Sequence, residues 1–64
     1  MNFLLKTRII EKFGTQVDFA QEIKVSETLV SKIIRGRRTL DPERQLIWAK
    51  ALGSNPKELF ADEG

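Results

Sequence analysis

Between Gln16 and Ile33 the apolar positions are spaced as two short helices that meet at a tight turn. Phe19, Ala20 and Ile23 form the inner face of a first helix, Val25 sits in the turn, and Val30 and Ile33 form the inner face of a second. Ala20 constrains the pair most. Helices that meet near one end approach closely only where the crossing residue has almost no side chain, and a bulkier residue would splay them. After the second helix comes Ile34-Arg35-Gly36-Arg37-Arg38, so three arginines follow Lys32 with no acidic residue before Asp41. A helix that ends in such a positive cluster is placed to meet a phosphate backbone.

The remaining breaks in the sequence also have helix-boundary reasons, and no segment alternates like a strand. A first helix is expected from about Phe3 to Phe13, stopped at Gly14, which can take the left-handed conformation at a C-terminus. Thr15 caps the second helix, with Asp18 at its third position completing a capping-box-like pair. Ser26 caps the third, which ends at Gly36. Asp41 caps a fourth with Pro42 at its first position, where a missing N–H costs nothing, and Gly53 ends it. Asn55-Pro56-Lys57-Glu58 repeats that logic for a short fifth helix through Phe60 or Ala61, followed by a polar tail, Asp62 to Gly64, expected to fray. The expected core is Ile9, Phe13, Phe19, Ala20, Ile23, Val25, Val30, Ile33, Trp48, Leu52 and Leu59. Trp48 and Leu52 lie four apart on the fourth helix and cover the back of the crossing pair. That helix is also apolar off this face, at Leu46 and Ile47, and Leu40 lies just before it. One folded copy this small has difficulty covering all three.

With 64 residues the chain is expected to form one domain. A domain of that size buries only about 60% of its unfolded surface, which leaves no room for an enzyme cleft beside a core. Disulfides or a metal usually support such small folds, but the sequence has neither Cys nor His. Stability is therefore expected from local helical packing. The missing cysteines fit an intracellular protein. No apolar run spans a bilayer, and Lys6 and Arg8 follow Phe3-Leu4-Leu5 too soon for a signal peptide, so a cytoplasmic location without membrane association is expected. The net charge of +2 is small, yet it is unevenly placed. Residues 24 to 44 carry six cations against three anions and hold the whole surplus.

These residues resemble the helix-turn-helix of the phage repressor and Cro-like (XRE-type) transcriptional regulators. The likeness rests on Thr15-Gln16 opening the first helix of the motif, on the apolar-Ala pair Phe19-Ala20, and on the turn Ile23-Lys24-Val25-Ser26. It continues in Arg35-Gly36-Arg37-Arg38 after the second helix, and in Ala51-Leu52-Gly53 with a short helix ending Leu59-Phe60. Lys24 stands where glycine is common and Arg35 where asparagine is common. A left-handed Lys24 costs roughly 1 kcal/mol relative to glycine. The resemblance implies an all-α, compact, five-helix lambda-repressor-like DNA-binding domain over residues 1–64, with the motif at about 16–35.

It also implies a division of labour among residues. The base-reading positions fall on Glu27, Thr28 and Lys32, with Ser31 in reach of backbone or bases. Glu27 can accept from a cytosine amino group, Lys32 can donate to guanine O6 and N7, and Thr28 can meet a thymine methyl or a polar edge. Glu27 has a plainer role open to it, as a first-turn acid that favours the helix dipole. Leu29 can face a thymine methyl or pack on the core beside Ile33. Trp48 can stack on a base, although aromatic residues at helical spacing are usually core. Gln16 opens a helix and leaves its backbone N–H unpaired, and the resemblance makes it a phosphate clamp. Arg35, Arg37 and Arg38 are expected to grip flanking phosphates, the alternative being a merely solvated face. Leu40, Asn55, Pro56 and Lys57 fall where the subunits of this family meet.

Catalysis has nothing to stand on without His or Cys, and no phosphate loop, metal-spaced carboxylate cluster or cofactor motif occurs. The expected partner is double-stranded DNA with a palindromic operator, bound by a weak homodimer without a small-molecule ligand, and the expected action is repression by occlusion. A toxin-neutralising antitoxin is the alternative, with Leu40, Leu46 and Ile47 as its contact surface.

Overall fold

In a computed structural model, residues 1–61 are described and form five helices without a strand: α1 Phe3–Phe13, α2 Gln16–Glu22, α3 Glu27–Ile34, α4 Pro42–Ala51 and α5 Pro56–Leu59. The tail expected at Asp62 to Gly64 lies outside the described residues. Each boundary is written in a few side chains. The Thr15 hydroxyl accepts from the Asp18 amide at 3.1 Å, the Ser26 hydroxyl from the Leu29 amide at 3.1 Å, and the Asp41 carboxylate from the Arg44 amide at 2.8 Å. Caps of this kind are worth about 1 kcal/mol each. The reciprocal half of the box expected at α2 is not formed among the described residues, because the Asp18 side chain is a methylene shorter than the Glu that usually reaches back.

The exits are equally local. After α3 the Gly36 amide donates to the Ile33 carbonyl at 3.1 Å and the Arg37 amide to the Lys32 carbonyl at 2.9 Å. That is a Schellman end, and it requires the left-handed φ of 78° at Gly36. α2 ends the same way, with Lys24 donating to Gln21 at 3.2 Å and Val25 to Ala20 at 2.9 Å. Here the left-handed residue is Lys24, at φ 61°, so the strain foreseen for that position is present.

α1 packs on α2 and α3, α2 packs on α3, and α4 packs on α5. Ala20 is 2% exposed, which fits its place where α2 and α3 close on one another. Phe19 is fully buried at the centre of an aromatic row, its ring edge-on to Phe13 at 5.2 Å and to Trp48 at 5.3 Å. Such pairs add about 0.5–1.5 kcal/mol to the burial itself. Trp48 is thus a core residue.

Ile9, Phe19, Ala20, Val30, Ile33, Trp48, Leu52 and Leu59 are buried as expected. Phe13, Ile23 and Val25 are only partly buried and pack against the core from its rim. Leu5, Ile34, Ala49 and Phe60 complete the interior and were not anticipated. Leu40 corrects a sequence expectation: at 7% exposed it belongs to this core, whereas Leu46 and Ile47 are left outside at 57% and 51%. The loop between α3 and α4 turns Leu40 inward, and its carbonyl accepts from the Gln45 side chain at 3.0 Å.

The N-terminus is tied to distant parts of the chain by one residue. The Asn2 side-chain oxygen accepts from the Leu5 amide at 3.0 Å and so caps α1. Its side-chain nitrogen donates to the Leu59 carbonyl at 2.6 Å, and its main-chain N–H donates to the Ile34 carbonyl at 2.6 Å.

Candidate nucleic-acid interface

α3 has two unlike faces. Val30, Ile33 and Ile34 are buried, and Leu29 packs partly against the core, which settles its role in favour of packing. Glu27, Thr28 and Lys32 are exposed and Ser31 is half-buried. The spacing of these four, with Arg35 one turn further, makes a single outward row on a helix. The row begins at the Ser26 cap, so Glu27 and Thr28 occupy the first turn, where helices of this kind present residues to base edges. Glu27 is the acid in the first turn of α3, a place where a carboxylate favours the helix dipole.

The basic cluster continues directly from this row. Arg35 caps α3, Gly36 reverses the chain, and Arg37 and Arg38 follow, all exposed. Among the described residues Lys32, Arg35, Arg37 and Arg38 form no ion pair, while Arg8 and Arg44 do, with Glu11 and Glu58 and with Asp41 respectively. Four unneutralised cations, all three arginines of the loop among them, therefore lie within seven positions at the end of one helix, and charge of this kind attracts a polyanion over several ångströms. The Schellman bonds hold the main chain of Arg37, so only its side chain is free to adjust.

Gln16 is half-buried at the first position of α2, directly after the Thr15 cap. A pocket of about 250 Å³ lies between α3 and the start of α4, lined by Leu29, Arg38, Thr39, Leu40, Asp41 and Arg44. Thr39 and Arg44 are exposed and extend the surface beside the basic loop; the sequence marks Arg44 only as one of the six cations of residues 24 to 44, and Thr39 not at all.

The positions expected for subunit contact separate into two groups. Asn55 and Lys57 are exposed and Pro56 is half-buried, at the start of α5. Leu40 is buried within the single copy. A groove of about 400 Å³ runs beside α5 and is lined by Pro42, Gln45, Leu46, Pro56, Lys57, Phe60 and Ala61.

The family model described as helix-turn-helix matches residues 5–59, which includes all of α2 through α5 and most of α1. The chain belongs to that family. It is a helix-turn-helix protein of the repressor and Cro-like kind, and such domains are DNA-binding transcriptional regulators that act on double-stranded DNA. Neither a curated protein nor a solved structure matches the chain. Within residues 5–59 of this protein, α2 and α3 are joined through the left-handed Lys24, and α1 packs against both. No helix among the described residues is long and apolar enough to cross a membrane.

Proposed function

We propose that this protein is a sequence-specific regulator of the phage-repressor type that occludes a palindromic operator as a weak homodimer. What supports it best is the continuity of α3's outward row with the unpaired arginines behind it. Glu27, Thr28, Ser31 and Lys32 supply donors and acceptors for base edges in the major groove. Gln16, Arg35, Arg37 and Arg38 hold phosphates on either side and set the register without reading sequence.

Self-association follows from the reach of a single α3. One recognition helix covers only a few base pairs, and two in successive major grooves, about 34 Å apart, double the contacts. The groove beside α5, lined by Pro56, Lys57 and Leu46, with the exposed cap Asn55 next in the chain, supplies the contact surface. Such a small contact is weak in free solution, because association must first overcome lost translational and rotational freedom.

A second use of the same apolar surface is supported by the exposure of Leu46 and Ile47: docking of a toxin by an antitoxin that also binds DNA. Selection of sites from random duplex DNA tests the main proposal. A palindromic consensus is the expected result, and a non-palindromic footprint occupied by one copy would sink the dimer.

A further inference from the structure

α5 has only four residues, too few to hold a helical conformation by itself. Its place is set by what grips it. Leu59 and Phe60 are buried at 2% and 4%, and Glu58 pairs with Arg8 of α1 at 3.4 Å on the surface. The polar grip from the interior side is Asn2. Its side-chain N–H takes the last carbonyl of α5, at Leu59, while its own main-chain N–H takes the last carbonyl of α3, at Ile34. Both carbonyls stand at helix C-termini, where no residue of the same helix can donate to them. Asn2 thus joins three helix ends, because its side-chain oxygen also caps α1.

We propose that Asn2 is a positioning residue that holds α5 in register with the recognition helix α3, and that this register sets how the two α3 helices of a dimer are spaced on DNA. The inference rests on the dimer across α5 proposed above. Its physical content is a short path. A second copy seated at the start of α5 bears on a four-residue helix whose far end is bonded to Asn2, and Asn2 is bonded in turn to the residue before Arg35. If the bond to Leu59 is absent, α5 keeps its apolar anchors but gains freedom relative to α3. Two copies then meet without a fixed separation of their recognition helices, and the orientational advantage of the dimer falls. A single copy on a half-site needs no such register.

The test is Asn2→Ser, which retains a capping oxygen for α1 and removes the donor to Leu59. Asn2→Asp is a second variant of nearly the same size that replaces that donor by an oxygen. Affinities for the selected palindrome and for its half-site are measured for wild type and both variants at a temperature where circular dichroism shows full helicity. The expected result is half-site affinity within about twofold of wild type together with about a fivefold or larger loss of cooperativity on the palindrome, the scale of ordinary coupling between sites. A wild-type protein that gains nothing on the palindrome overturns the dimer and this inference together. A cooperative wild type whose variants stay equally cooperative overturns this inference alone. Equal losses on both sites, or unfolding of both variants, reduce Asn2 to a purely structural role and overturn it as well.

Discussion

Lys24 and Gly36 close consecutive helices with the same Schellman bonds and the same left-handed backbone, at φ 61° and 78°, although only one of them is a glycine. A side chain crowds the backbone in that region, so Lys24 carries strain that Gly36 avoids. Lys24→Gly is expected to stabilise the fold by up to about 1 kcal/mol, a rise of roughly 4–8 °C in Tm for a domain of this size. Gly36→Ala is expected to lose a similar amount. A Cβ on Gly36 meets nothing within 4 Å, so its cost is torsional and not steric. Thermal melts of the two variants check the pair, and a destabilised Lys24→Gly would show that the lysine side chain makes up for its backbone.

The arginines after α3 are expected to contribute affinity without specificity. Arg37→Ala or Arg38→Ala should weaken cognate and random DNA alike. Each lost phosphate contact should flatten the slope of log K against log salt by about 0.9. Titrations across a salt series measure this directly. An unchanged slope would remove the cluster from the interface.

Specificity and stability are expected to separate between Lys32 and Ala20. Lys32 is exposed, so Lys32→Ala should leave the melting midpoint within the effect of about 0.5 kcal/mol usual for surface changes and relax the preference at one base-pair position. Ala20 is 2% exposed where the two helices of the motif meet, and Ala20→Leu should destabilise by about 1–3 kcal/mol through overpacking. Site selection and thermal melts on both variants would expose any exchange of roles.

Leu40 and Leu46 should likewise differ. Leu40→Asp places a carboxylate in the core and is expected to cost at least about 3 kcal/mol, enough to unfold a domain of this size in large part. Leu46→Asp changes an exposed residue on the α5 groove and should leave stability within about 0.5 kcal/mol while lowering cooperativity on a palindrome. Circular dichroism and sedimentation on operator DNA distinguish the two. A folded, monomeric Leu40→Asp would return Leu40 to the subunit contact.

The helix boundaries, the crossing at Ala20 and the end of α3 at Gly36 were legible in the residues themselves, because caps, left-handed exits and apolar spacing act over three to six positions and each has its own side-chain chemistry. The outward row from Glu27 to Lys32 was legible for the same reason: once α3 is a helix with Val30 and Ile33 inside, geometry puts these residues on the other face. What tertiary structure alone decided was which surplus apolar groups are covered. Leu40, Leu46 and Ile47 look alike along the chain, yet only Leu40 is turned inward, since its burial depends on the path of the loop between α3 and α4 over the core. Asn2 shows the same limit more sharply. In the sequence it is only the residue before the first helix, and nothing there singles it out. Its bonds to Ile34 and to Leu59, 57 positions away in the latter case, exist only because packing of the core brings three helix ends to one point.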